Sequence, residues 1–258
     1  MEDIQNKTPS VQIPIDRVGV KDFKYPLLIR KKNNGIQHTV AHVNLYVDLP
    51  SEFKGTHMSR FIESLQEWSG VLDYHTFKEL LRDVQKRLKA RKSHLSISFP
   101  YFSEQRAPKS GIKALMDYEC VFMGELEDDK LSMFLQVTVP VMTVCPCSLA
   151  ISENGAHSQR ALVKIKCQFE GFLWVEDLIE VATTSASSPV YALLKRIDEK
   201  YVTESAFSNP VFVEDVVRRI AAKLLDHPLV KWFRVEVESH ESIHNHNAYA
   251  CIESPSNL

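Results

Sequence analysis

Strand-like and helical patterns follow one another along this 258-residue chain in an order that restricts its fold. In the first half, residues 38–49, 94–102 and 114–126 favour strands, because apolar and polar residues alternate or β-forming residues dominate there. Between the first two, residues 59–68 and 77–91 place their apolar side chains on one helical face. The first half is therefore predicted to form two helices enclosed by strands.

The second half shows the same order of elements without repeating the sequence. The predicted strands are 131–141, 160–172, 230–239 and 247–254, and the predicted helices are 175–186, 189–202 and 210–226. Runs of strands beside runs of helices indicate an α+β protein with largely antiparallel sheets. We expect an extended N-terminal arm at residues 1–25 and two fused ββααββ-like modules, at 26–128 and 129–258, whose sheets are packed by helices.

Composition excludes several classes of protein. The formal charge of −2 gives no global basic field that would recruit nucleic acid. No stretch approaches the roughly 18 consecutive apolar residues of a membrane-spanning helix, and the polar segment MEDIQNKTPSVQ lacks the apolar stretch of a signal peptide. We expect a cytoplasmic protein without nucleic-acid or membrane partners, in which a local cluster of Lys and Arg binds any anionic substrate.

The cysteines divide into two groups. Cys120, Cys167 and Cys251 lie among strand-forming residues, which predicts that they are buried in the packing. Cys145 and Cys147 flank a proline, and disulfides are uncommon in the cytosol, so metal binding or catalysis is favoured for this pair.

The segment from Cys145 to His157 carries the first chemical signal. Thiolate and imidazole are good ligands for zinc, iron and other late first-row divalent ions. Because Pro146 fixes the turn, one thiol is expected to bind a metal while the other handles a proton. The alternative is two buried thiols beside a surface histidine.

A second signal lies near the C-terminus, where three histidines and Glu241 fall within residues 240–246. An extended strand carries alternate side chains on one face, so His244 and His246 can point into one cavity. The alternative is a solvated loop. Two constellations of this kind favour a metal-centred hydrolase, in which the ion activates a water molecule and histidines move protons.

Five motifs in order give the sequence its resemblance to a known family. They are LPSEFKGTHMSRF (49–61), SGIKALMDYE (110–119), CPCS (145–148), GAHSQRA (155–161) and ESIHNHNAYA (241–250). Over almost its full length the chain resembles the prokaryotic type IB family of GTP cyclohydrolase I. The resemblance implies the tunnelling fold, GTP as the substrate, and 7,8-dihydroneopterin triphosphate and formate as products at the entry to folate synthesis. It also implies a homo-oligomer, expected to be a tetramer, with active sites between subunits.

The same resemblance implies roles for individual residues. One divalent transition metal per site (zinc, manganese or iron) is expected, with these ligands: Cys145, His157 and Glu199. The residues implied in catalysis and proton handling are Cys147, Glu241, His244 and His246.

Substrate recognition is implied for a further set of residues. Glu214 matches the guanine anchor, since a carboxylate offers two acceptors to the parallel N1–H and N2–H donors of guanine. Its alternative use is an interaction with the backbone dipole at a helix start. The candidates for binding the triphosphate are Lys54, Arg60, Lys113 and Arg160, and for each the alternative is a solvated surface charge.

Three other functions compete with this hypothesis. An archaeal-type relative would end at a cyclic phosphate of dihydroneopterin, with a similar ring-opening site. A tunnelling-fold reductase of a deazaguanine nitrile would use a cysteine nucleophile and a nicotinamide cofactor, and the histidine cluster is evidence against it. A structural zinc site is usually closed by four protein ligands, often paired cysteines, and the chain has no second cysteine pair.

Overall fold

The structure is a computed structural model, and it describes residue 5 and residues 7–255. Within them the strands are β1 (Ile15–Arg30), β2 (Ile36–Leu49), β3 (Val71–Leu72), β4 (Lys92–Arg106), β5 (Lys113–Glu127), β6 (Lys130–Val144), β7 (Ser158–Phe169), β8 (Ser188–Pro189), β9 (Val230–Ser239) and β10 (Ala248–Glu253). The helices are α1 (Met58–Glu67), α2 (Tyr74–Leu88), α3 (Pro146–Ile151), α4 (Val175–Thr183), α5 (Arg196–Phe207) and α6 (Val213–Leu225).

The first of two units comprises residues up to 100 and residues 121–134. Its strand order is β6-β5-β4-β2-β1-β3, where only the parts of β4, β5 and β6 within these residue ranges belong to the unit. Strand β1 pairs antiparallel with β2 and parallel with β3. Helix α2 begins at a capping box, since Asp73 Oδ1 accepts the N–H of Thr76 at 2.9 Å. Phe77, Leu81 and Val84 of α2 are fully buried, so one face of this helix forms part of the core of the unit.

The second unit comprises residues 101–120 and 135 onward. Its strand order is β10-β9-β7-β6-β5-β4, with β8 paired to β6. Strands β7 and β9 are antiparallel, with Ala161 opposite Ser239. Helix α6 buries an apolar stripe that includes Val216, Ile220 and Leu224, because these residues recur every three or four positions.

These elements confirm the α+β class with largely antiparallel pairing. Every predicted strand has its counterpart in the structure, and helices lie where 59–68, 77–91, 175–186 and 210–226 predicted them. Residues 15–25, assigned to the N-terminal arm, form the start of β1 and pair with β2. Residues 1–4 and 6 of that arm lie outside the described residues.

The predicted helix at 189–202 is wrong in its first half. Ser188 and Pro189 pair with Met142 and Val141 of β6, and helix α5 begins only at Arg196. The apolar periodicity of this stretch missed the strand because a two-residue pairing leaves no pattern in the sequence.

One prediction about cysteine burial is also wrong. Cys120 and Cys167 are buried, but Cys251 is exposed because it lies on β10, the last strand in the sheet order. No helix among the described residues is long and apolar enough to cross a membrane.

Candidate active site

The Cys-Pro-Cys segment lies where β6 ends and the short helix α3 begins. Cys145 is the N-cap of α3, and its Sγ accepts the backbone N–H of Ser148 at 3.4 Å. Pro146 occupies the first turn, where a missing N–H is tolerated. The two thiols have different surroundings as a result: Cys145 is half-buried and Cys147 is exposed.

Backbone hydrogen bonds bring His157 to this turn. The N–H of Cys145 donates to the carbonyl oxygen of His157 at 3.1 Å, and the N–H of His157 donates to Ser148 Oγ at 3.3 Å. The side chains of Cys145 and His157 therefore line the same cavity, although His157 comes twelve positions after Cys145 in the chain.

The histidine-rich segment follows β9 and reaches the same cavity. The N–H of His240 donates to the carbonyl oxygen of Arg160 at 2.9 Å, which continues the β7–β9 pairing beyond the strand end. The rings of His244 and His246 stack with centroids 5.1 Å apart. The ring of His244 lies edge-on to that of His157 at 6.3 Å.

A chain of side-chain hydrogen bonds connects the two segments. Nδ1 of His157 lies 2.8 Å from Oε1 of Gln159, and Nε2 of Gln159 donates to Oε1 of Glu241 at 3.2 Å. Only 12% of the His157 side chain and 9% of the Glu241 side chain are exposed. Because this network is largely shielded from water, its hydrogen bonds are stronger than they would be on the surface.

The cavity has a volume of about 410 Å³ and lies within the second unit. Six of the predicted site residues line it: Cys145, His157, Glu214, Glu241, His244 and His246. Glu214 is the second residue of α6, where the positive end of the helix dipole favours a carboxylate. The cavity thus places a thiol, imidazoles and carboxylates around one space.

The other six predicted residues are not among those that line the cavity. Glu199 is exposed on α5, whose far end lies near the loop before His157: Cε1 of Phe207 is 3.2 Å from where a Cβ on Gly155 would stand. Glu199 precedes Phe207 by eight residues, which is about 12 Å along a helix.

The four candidate cations lie in different places. Lys54 and Arg60 belong to the first unit, where Nη1 of Arg60 donates to the carbonyl oxygen of Arg87 at 2.8 Å. Lys113 Nζ pairs with Oε1 of Glu104 at 2.8 Å. Arg160 is exposed on β7, directly after the cavity-lining Gln159.

The donor set fits a metal ion only in part. Cys145 and His157 supply a thiol and an imidazole to one cavity, and both groups are good ligands for zinc or iron. Among residue 5 and residues 7–255, however, no three His, Cys, Asp or Glu side chains stand close enough together to hold an ion. The structure thus brings together two of the three predicted ligands.

Among the cavity-lining residues that sequence reasoning missed, Gln159 and Tyr249 make side-chain hydrogen bonds. Gln159 lies within the GAHSQRA motif, but only the β7–β9 register shows that it faces Glu241. Tyr249 donates its O–H to Oε1 of Glu236 at 2.6 Å, and this hydrogen bond is the main cause that raises the pKa of Tyr249 to about 12. The tyrosine is consequently a hydrogen-bond donor at neutral pH.

Solved structures similar to this chain include two urate oxidases. A highly active mutant of the enzyme from Bacillus sp. TB-90 gives a TM-score of 0.54 at 11% identity, over 93% of this chain and 99% of that chain. The uricase from Arthrobacter globiformis gives 0.50 at 7% identity, over 93% and 92%. At such low identity the likeness shows the fold alone, which is that of urate oxidase, a tunnelling-fold protein.

Sequence comparison is far more specific. A family model described as type I GTP cyclohydrolase folE2 matches residues 1–250. The chain is 58% identical over 253 residues to the GTP cyclohydrolase FolE2 of Nitratidesulfovibrio vulgaris (strain Miyazaki F), covering 98% of both chains. Its identity to the GTP cyclohydrolase FolE2 of Desulfovibrio desulfuricans is 56%, covering 98% of this chain and 97% of the relative. The chain belongs to the type I GTP cyclohydrolase folE2 family.

Proposed function

We propose that this protein is a GTP cyclohydrolase that converts GTP and water to 7,8-dihydroneopterin triphosphate and formate, the first step of tetrahydrofolate synthesis. The observation that supports this most strongly is the single cavity shared by Cys145, His157, Glu214 and the Glu241–His246 segment. Near-full-length relatives carry the name of this activity.

Glu214 is proposed as the guanine anchor. Its carboxylate is exposed at the cavity, on the first turn of α6, and can accept both the N1–H and the N2–H of guanine. Adenine lacks this pair of donors, so such a contact discriminates between the purines. Charge-assisted hydrogen bonds of this kind fix the orientation of the ring as well as its identity.

The metal ligands are proposed to be Cys145, His157 and Glu199, with one zinc, manganese or iron ion per site. When bound, such an ion lowers the pKa of water and polarises the bond to be hydrolysed. Cys145 and His157 already share the cavity lining, which supports their assignment. Glu199 is exposed on α5 outside that lining, so its assignment depends on the family resemblance.

Proton transfer is proposed for Glu241, His244 and His246, with Cys147 as a further participant. Both imidazoles are exposed in the cavity, and the two rings stack, so protons can pass between them and substrate or solvent. The largely buried carboxylate of Glu241 is held by Gln159 and lies 3.8 Å from the ring of His157. It is placed to orient a water molecule or to exchange a proton.

The triphosphate is proposed to bind Arg160, Lys113, Lys54 and Arg60. All four are basic residues within motifs that resemble the family. Arg160 is next to the cavity residue Gln159 in β7, on the opposite face of the strand.

We further propose an N-terminal arm at 1–25, of which residues 15–25 pair with β2, followed by two fused modules at 26–128 and 129–258. The family resemblance implies a homo-oligomer with active sites between subunits, and we propose that it is a cytoplasmic homotetramer. The second module carries most of the metal site. Exposed apolar side chains near the site support an assembly, since Ile151 is 88% exposed and Ile243 is 64% exposed.

The product of GTP turnover tests this proposal. The purified protein is incubated with GTP and Zn²⁺, Mn²⁺ or Fe²⁺, and the products are identified by mass. Equal amounts of formate and dihydroneopterin triphosphate support the proposal. A cyclic phosphate of dihydroneopterin would favour the archaeal-type activity, and NADPH-dependent reduction of a deazaguanine nitrile would favour the reductase.

A further inference from the structure

Gln159 is held between two groups of the site by the geometry of the sheet. In the β7–β9 pairing Ala161 lies opposite Ser239. The hydrogen bond from the N–H of His240 to the carbonyl oxygen of Arg160 continues this register by one residue. The next pair in the same register is Gln159 opposite Glu241. Side chains opposite each other in an antiparallel pair are close enough to touch.

The amide orientation of Gln159 follows from its two partners. The amide nitrogen of Gln159 faces Oε1 of Glu241 and donates to it at 3.2 Å. The amide oxygen of Gln159 consequently faces His157 Nδ1, at 2.8 Å.

The tautomer of His157 follows in turn. An amide oxygen is only an acceptor, so the 2.8 Å contact requires a proton on Nδ1 of His157. In the neutral ring Nε2 then carries the free lone pair. The 3.8 Å distance between His157 Nδ1 and Glu241 Oε2 is too long for a hydrogen bond, so the carboxylate acts on the ring through Gln159.

We propose that Gln159 is a positioning residue that holds neutral His157 as the Nδ1–H tautomer, with Nε2 free, and holds Glu241 in place. Partners of this kind orient metal-binding histidines in many proteins, usually through a carboxylate or a carbonyl. Here a neutral amide separates the imidazole from the carboxylate. The inference deepens the proposed function, because His157 and Glu241 belong to that site.

Nitrogen-15 NMR of the metal-free protein tests the tautomer directly. Histidine-labelled protein is measured at about pH 8.5, two units above the ordinary histidine pKa, and the His157 signals are assigned from a His157→Ala variant. We expect the Nδ1–H form in the wild type and loss of that preference in Gln159→Leu. Gln159→Glu keeps the acceptor for Nδ1–H, so the tautomer is retained there even if the Leu variant folds poorly.

Gln168→Leu is the matched control, since it makes the same change in β7 away from the cavity lining. We expect it to leave the His157 signals unchanged. A second readout is Co²⁺ binding, which should weaken about 10- to 100-fold in Gln159→Leu and stay unchanged in the control.

An Nε2–H tautomer in the wild type, or an unchanged Nδ1–H tautomer in Gln159→Leu, would overturn the proposal. The NMR experiment uses neither GTP nor metal, so its outcome is independent of the proposed activity. If the wild type shows the Nδ1–H form but does not turn over GTP, the proposed function fails while the positioning role stands.

Discussion

The backbone N–H of Cys145 donates a hydrogen bond to the carbonyl oxygen of His157 at 3.1 Å. This single bond joins the end of β6 to the loop that precedes β7, and it places a thiol and an imidazole on one cavity. Because backbone atoms make this contact, substituting either side chain removes the thiol or the imidazole and keeps the hydrogen bond between the two segments.

Glu214→Gln tests guanine recognition. The amide retains the size of the side chain but offers one acceptor and one donor in place of two acceptors. Losing a charge-assisted bond to guanine should raise KM for GTP about 10- to 100-fold. Steady-state kinetics with GTP measures this effect, and Asp215→Asn on the same turn is the control. Unchanged KM in Glu214→Gln would contradict the anchor assignment.

Asp198 connects the loop between β4 and β5 to the start of α5 through hydrogen bonds. Its buried carboxylate accepts the N–H of Lys109 and of Ser110, both at 2.8 Å, the O–H of Ser110 at 2.6 Å and the N–H of Lys195 at 2.9 Å. Asp198→Ala leaves these donors without their acceptor and should lower Tm by roughly 5–10 °C. Ser110→Ala removes only the hydroxyl and should lower Tm less. Equal Tm values in thermal melts of both variants would contradict this role.

The stability provided by Glu236 should depend on pH. The hydrogen bond from Tyr249 outweighs the opposing effect of burial and, together with Arg234, lowers the pKa of Glu236. A carboxylate whose pKa is lowered in the folded state stabilises the protein at pH values above the ordinary glutamate pKa of about 4.3. This contribution is lost as the pH falls through the folded-state pKa. The Tm of the wild type should therefore exceed that of Glu236→Gln at pH 7, and the difference in Tm should be smaller at about pH 3.5. A gap that grows on acidification would contradict the sign.

Thiol labelling should separate the cysteines by burial. Burial raises the pKa of Cys167 to about 12 and also raises the pKa of Cys120, so neither forms the reactive thiolate at neutral pH. Cys147 and Cys251 are exposed. In the folded protein, mass spectrometry after alkylation should find these two modified and the buried pair unmodified. Rapid modification of Cys167 would show that β7 opens in solution.

The fold class was predictable because long amphipathic elements dominate the chain. The strand β2 and the helix α6 both bury a regular apolar pattern that is visible in the sequence. Strands β3 and β8 and helix α3 were missed because they span two, two and six residues, too few for a period to appear. Tertiary partners decide such short elements: pairing with β6 for β8, and the Cys145 cap for α3. The start of β1 was missed because its polar composition predicted an arm.

The candidate site was predictable where chemistry and motif coincide in the chain. Cys145 and His157 are distinctive residues on either side of helix α3 and the loop that follows it. Gln159 was missed because a glutamine in a strand carries no chemical signal until the β7–β9 register brings it opposite Glu241. Glu199 illustrates the opposite limit, since the family resemblance identifies the residue but not its position relative to the cavity.

Metal-dependent turnover in a Cys145→Ala variant tests the central claim most directly. Wild type and variant are stripped of metal with a chelator, reloaded with Zn²⁺, Mn²⁺ or Fe²⁺, and assayed with GTP for formate and for pterin fluorescence after oxidation. We predict turnover by the reloaded wild type, none by the chelated protein, and neither turnover nor metal binding by the variant. GTP that survives with every ion, or a variant that binds metal as the wild type does, would contradict the account.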